Sequence, residues 1–192
     1  MQSGRRLLVA GLFVVAIAAS SAALAEPTVT EAITRYDVTG ATPEEVSQQM
    51  HTIGPIDNTE KKHFSAVTRW NINWRYTYNR KSDACSISSV SVAVTVNYTT
   101  PRLVSNDVSL NAMFDRYYAN LMTHERGHAA NGIEAARNIE KAIAAMAPLP
   151  TCEALGVAAN ELGRSLIAPA NKKDIEYDAA TQHGRTQGAH LP

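Results

Sequence analysis

The chain predicts an α+β domain in which an antiparallel sheet packs on one long helix and further helices close the C-terminal side. Two consecutive runs of period-two alternation give the sheet, and a long stretch with apolar residues every three or four positions gives the helix that covers it. Two shorter helical patterns after a proline break supply the rest.

Each element has its own signals. Ile33 to Val38 alternates weakly and reads as a first strand ended by Gly40. In Thr42-Pro43-Glu44-Glu45, a threonine N-cap, a proline at the first helical position and a glutamate at N3 complete a capping box, so a short helix through about Met50 follows. From Val67 to Tyr78, Trp70, Ile72, Trp74, Tyr76 and Tyr78 share one face while Arg69, Asn71, Asn73, Arg75 and Thr77 take the other, the pattern of a half-buried strand. Ile87 to Tyr98 repeats it with Val90, Val92, Val94 and Val96, and the polar segment Asn79 to Ala84 suits a hairpin loop. A sheet with one apolar face needs a cover. The helical pattern that begins near Asp107 provides it, because Leu110, Phe114, Tyr117, Leu121, His124 and His128 fall on a single face. Ala135, Ile139, Ala142 and Met146 extend the stripe until Pro148-Leu149-Pro150 stops it. Cys152 to Ile167 and Lys172 to Gln182 then read as helices separated at Pro169, with Gly184 as the C-terminal stop.

The first residues have a different character. Arg5 and Arg6, the nearly all-apolar Leu7 to Ala19 and the triplet Ala23-Leu24-Ala25 form the pattern of a secretory signal peptide over residues 1–25. The apolar run is shorter than the roughly 20 residues that a spanning helix needs. Stable membrane insertion is therefore not expected after cleavage, and the protein should be periplasmic or secreted. Residues 26–192 suit a single domain. The whole chain carries 18 basic and 18 acidic residues with no basic block, which argues against a nucleic-acid partner. Its two cysteines, Cys85 and Cys152, are expected to form a disulfide in an oxidising compartment. No long segment separates Ala25 from the first strand, so latency would need a regulatory partner protein rather than a pro-domain.

Chemistry concentrates in His124-Glu125-Arg126-Gly127-His128. On a helix of 3.6 residues per turn, histidines at i and i+4 stack on one face and can converge on one zinc ion, the arrangement written HExxH. Glu125, offset by one residue, is the candidate catalytic general base towards a metal-activated water. A catalytic zinc takes a third protein ligand. Glu161, Glu176, Asp178, His183 and His190 lie downstream, and spacing does not choose among them.

The leader, the Trp- and Tyr-rich strand pair, the zinc pentapeptide and the tail Tyr177-Asp178-Ala179-Ala180-Thr181-Gln182-His183-Gly184 together resemble a bacterial family of unknown function described as predicted secreted zinc-dependent proteases. The resemblance covers nearly all of residues 26–192. It implies a zincin-like fold, a zinc cofactor and a peptide or protein substrate. Through the tail motif it makes His183 the preferred third ligand beside His124 and His128, so that replacing His183 should lower zinc affinity and replacing Asp178 should not. Asp178 is second choice, by likeness to fungal-type zincins that use a downstream aspartate.

The expected reaction is peptide-bond hydrolysis, with Tyr177, Arg185 and His190 as candidate oxyanion donors and the substrate lying extended along a sheet edge. The rival reading is a non-catalytic cell-envelope protein that binds zinc or presents Trp70, Trp74, Tyr76 and Tyr78 to a partner.

Overall fold

Both periodicities are realised in a mixed α+β arrangement. The structure is a computed structural model that describes residues 26–57 and 60–192, so the leader expected over residues 1–25 lies outside the described residues. β1 spans Thr28–Val38, α1 Pro43–Ile53, β2 Val67–Arg80, β3 Cys85–Leu103, α2 Val108–Ala144, α3 Cys152–Ser165 and α4 Ile167–Thr181, followed by a 3-10 turn at Arg185–Gln187. Among the described residues no helix is long and apolar enough to cross a membrane.

β2 and β3 form the expected antiparallel hairpin, with Trp70 opposite Val96 and Trp74 opposite Val92. β1 departs from expectation. The strand order is β1-β3-β2, and β1 runs parallel to β3, from Thr28 beside Ala93 to Val38 beside Leu103. The sheet is therefore mixed rather than antiparallel. Alternation tells which face of a strand is buried and is silent on the neighbour and its direction. Here α1 and the segment after it carry the chain from one edge to the other before the hairpin folds β3 between them. β1 also begins earlier than its apolar residues suggest, because Thr28 to Ala32 are held by the β3 ladder while their side chains stay exposed.

Ile72, Val92, Val94, Val96 and Tyr98 are buried on one face of the sheet, where α2 lies across β2 and β3. The aromatic stripe of β2 turns inward on this face. Trp70 and Trp74 pack against the core, and their indole N–H groups donate to Asp174 Oδ2 (2.8 Å) and Asn160 Oδ1 (3.0 Å). The hydroxyl of Tyr76 donates to the carbonyl of Gly156 at 3.0 Å. These rings hold the helices in place, so the stripe is core rather than a display surface, and only Tyr78 at its end is exposed.

Local signals act largely as read. Thr42 caps α1 by accepting from Glu45 N–H, although the Glu45 carboxylate reaches back to Ala41 N–H instead of the cap residue itself. Asp107 caps α2, accepting from Leu110 N–H at 2.9 Å. The break between α3 and α4 falls at Leu166, and Pro169 sits in the first turn of α4 rather than between the helices. A first-turn N–H has no intrahelical partner, so proline loses nothing there. The Cys85–Cys152 disulfide ties the start of β3 to the start of α3, beside a backbone bridge between Cys85 and Leu149.

The core has two parts, and the long helix joins them. Leu110, Phe114, Tyr117 and Leu121 of α2 pack with Val38, Val46 and Met50. Further along, Met122, Ala129, Ala135, Ala136, Ile139 and Ile143 pack with the sheet and with Ala159 and Ala170. His124, Glu125 and His128 are buried between these halves.

Candidate metal centre

The stripe that buries α2 also buries its histidines. His124 is 4% and His128 9% exposed, and their rings meet edge-on with centroids 4.9 Å apart. The two Nε2 atoms lie 3.3 Å from each other. Asp178 enters from α4, and its Oδ1 lies 3.1 Å from each of those Nε2 atoms. Three ligand-type atoms thus form a nearly equilateral triangle. Ligands placed tetrahedrally around zinc at 2.0–2.1 Å are separated by about 3.3 Å. The set therefore has the spacing and the donor types that suit a divalent ion.

The atoms behind the triangle fix its orientation. Asp174, one turn before Asp178 on α4, lies with Oδ1 3.1 Å from His128 Nδ1 and is itself held by Asn131 (2.7 Å) and Trp70 (2.8 Å). His124 Nδ1 faces Gln187 Oε1 at 3.1 Å. Each imidazole can donate through Nδ1 to an oxygen and turn the Nε2 lone pair towards the centre of the triangle, the arrangement that aligns histidines in metal sites generally. Tyr177 stacks on His124 with an interplanar angle of 10°, and its hydroxyl is shared between His124 O (3.3 Å) and Gln187.

Two glycines make this packing possible. A Cβ on Gly127 would stand 2.2 Å from the Tyr177 hydroxyl oxygen, which explains the small residue inside the pentapeptide. Gly184 has φ 82°, and a Cβ there would stand 2.9 Å from His124 Cγ.

Glu125 is 3% exposed, and its Oε2 accepts from the Thr68 hydroxyl on β2 at 2.5 Å. Burial pushes its carboxyl above the usual range, opposed by the Thr68 hydrogen bond and the neighbouring histidines. In the metal-free site, burial works against a charged His128. Its hydrogen bonds to Asp174 and Asp178 outweigh burial and raise its pKa to about 10. Burial likewise works against a charged Asp178, but the hydrogen bonds from His124 and His128 hold it well below the ordinary carboxylate range.

The remaining candidates are placed elsewhere. Within the described residues the cluster of mutually close ligand atoms is His124, His128 and Asp178, all within 4.8 Å. His183 lies at the rim. Its Nδ1 is 3.5 Å from Asp178 Oδ1, its Nε2 is 3.3 Å from Glu60 Oε1, and its ring rests 4.9 Å from that of Phe64. Its backbone is left-handed (φ 52°), following Gln182 in the same conformation, and it falls outside the cluster of mutually close ligand atoms. Glu176 pairs with Lys172 on the exposed side of α4, and Glu161 and His190 fall outside the cluster. Arg185 is exposed, while the Tyr177 hydroxyl is engaged with the protein's own backbone.

Asp174, Thr68, Asn131 and Gln187 were not singled out from sequence. Only Asp174 carried a signal, its i−4 spacing from Asp178 on one helix. The others come from a strand, the far half of α2 and a tail turn that no local pattern links.

A family model described as Bacterial protein of unknown function (DUF922) matches residues 33–184, a span that contains every residue of the triangle. No curated protein and no solved structure matches the chain.

Proposed function

This chain belongs to the bacterial family of unknown function DUF922, and from its own residues we propose that it is a zinc-dependent metallopeptidase of the cell envelope, with a zincin-like site. The observation that carries the proposal is the triangle of His124 Nε2, His128 Nε2 and Asp178 Oδ1, with sides of 3.1, 3.1 and 3.3 Å, beside a buried glutamate. In this reading Asp178 is the third ligand and His183 belongs to the rim.

A zinc ion held by these three residues would act as a Lewis acid towards water and a peptide carbonyl. The protein supplies the rest. Asp174 and Gln187 hold the imidazoles in the tautomer that presents Nε2. Thr68 fixes one oxygen of Glu125, leaving the other to accept a proton from the attacking water and pass it to the departing amine. Burial favours the protonated carboxyl that this second transfer requires. Exposure rises from His124 through Asp178 to His183, with side chains 4%, 29% and 41% exposed, so substrate enters from the His183 side.

The test combines metal content with hydrolysis. Protein purified without a His-tag should contain about one zinc per chain and cleave a mixed peptide substrate. Glu125→Gln should keep the zinc and lose turnover by at least about a hundredfold, the usual reach of general acid–base catalysis. Zinc at full occupancy with no hydrolysis by the wild type would reject the peptidase reading. Turnover retained by Glu125→Gln would reject the role given to Glu125.

A further inference from the structure

From Thr28 to Arg35, β1 is an edge strand that the helix layer leaves bare. Ile33 is 49% and Val29 39% exposed. Both stand on the face of the sheet where their β3 partners Tyr98 and Val94 are buried. The side of β1 away from β3 offers its backbone N–H and C=O groups over an 11-residue strand. Edge strands are ordinarily blunted by proline, lysine, a bulge or an inward charge. β1 reads TVTEAITRYDV, without proline or lysine, and the register shift of the sheet lies in β2; its helix-side charges are Glu31 and Arg35, of opposite sign, so they bar like-charged partners and admit a complementary one.

We infer that β1 is an interface for a second copy of this chain, the two strands pairing antiparallel about Ile33. The charge pattern of the strand favours this pairing. A two-fold axis through Ile33 sets that residue against its own counterpart, Glu31 against the partner's Arg35, and Arg35 against the partner's Glu31. All three side chains lie on the helix-side face, since their β3 neighbours are Tyr98, Val96 and Thr100. Contacts within the chain keep both charges on that face. Glu31 accepts from the Tyr98 hydroxyl at 3.1 Å, and the Arg35 guanidinium lies 5.6 Å from the Tyr118 ring centroid.

Of the neighbouring registers, one centred on Tyr36 also sets Arg35 against the partner's Asp37 but pairs only residues 34–38 of the strand, one centred on Ala32 brings no opposite charges together, and three others oppose like charges. An axis through Thr34 opposes Glu31 to the partner's Asp37, and axes through Glu31 or Arg35 oppose each to itself. Like charges directly opposite are destabilising. Centring on Ile33 joins two three-stranded sheets into one, in the order β2-β3-β1-β1-β3-β2. It leaves Thr68 and Trp70, which reach the candidate metal centre from β2, at the outer edges of the joined sheet.

The experiment is the solution mass of the protein, expressed from the full-length chain and purified as it accumulates, by sedimentation across a dilution series. The wild type should sediment at twice the mass of one chain. Glu31→Arg alone and Arg35→Glu alone should each raise the dimer dissociation constant about tenfold or more, since each opposes two pairs of like charges. The double variant restores both pairs and should return to within about threefold of the wild type. Circular dichroism of the single variants shows whether each remains folded. A monomeric wild type at the highest concentration would overturn the proposal, because a copy-to-copy interface must respond to mass action. So would a double variant no tighter than the singles, since the register would then be wrong.

Discussion

Asp178 and His183 share a tail motif five residues apart, yet the fold gives them different surroundings. Asp178 stands between two imidazole Nε2 atoms at 3.1 Å, whereas His183 turns towards Glu60 and Phe64. Asp178→Ala should therefore abolish zinc retention after dialysis, while His183→Ala should keep it, with metal content measured by plasma mass spectrometry. The opposite result would return the third place to His183. Asp174 acts one layer out, orienting His128. Asp174→Asn keeps the shape and weakens the hold on Nδ1, so zinc affinity in a chelator competition should fall by roughly 10–100-fold, the usual effect of removing such a partner. An unchanged affinity would show that His128 needs no such support.

At the scale of elements, α2 and α4 make the centre together. α2 supplies His124 and His128 one turn apart, α4 answers with Asp174 and Asp178 at the same spacing, and Tyr177 seals the seam over Gly127. Alanine in a helix interior is ordinarily better than glycine by about 1 kcal/mol. At position 127 the sign should reverse, because the added Cβ would stand 2.2 Å from the Tyr177 hydroxyl oxygen. Gly127→Ala is expected to cost roughly 1–3 kcal/mol in denaturant unfolding and to loosen zinc binding with it. Adding Tyr177→Ala should remove the clash, and a single variant as stable as the wild type would show that α4 can shift without penalty.

For the whole molecule, three linkages set stability in the metal-free state. His128 is raised from 6.5 to about 10 and Glu125 is raised from 4.5. A raised pKa gives stability that is complete below the unfolded value and is lost as pH rises through the folded one. Asp178 is lowered from 3.8, so its contribution is present above that value and is lost as pH falls through its folded pKa. Chelator-treated protein should thus melt highest near pH 4, between the ordinary carboxyl values of 3.8 and 4.5, and lose stability from there towards pH 10, first through Glu125 and then through His128. A melting temperature that rises across that alkaline range would contradict the assignment. The Cys85–Cys152 bridge closes a separation of 67 residues. Replacing both cysteines with alanine should cost about 2–4 kcal/mol, read as a lower melting temperature of the folded double variant.

The sequence by itself determined the local pieces of this protein. Trp70 to Tyr78 alternate because one face of β2 is buried, Thr42 and Asp107 end their helices because they accept orphan N–H groups, and His124 and His128 share a face because a helix turns every 3.6 residues. These signals act between residues a few positions apart, so they are written in one dimension. Only the tertiary structure decided that β1 runs parallel to β3, that Thr68 holds Glu125, and that Asp178 Oδ1 stands 3.1 Å from both histidine Nε2 atoms. Those outcomes depend on which elements pack together. Residues more than 50 positions apart meet only when the shared core forms.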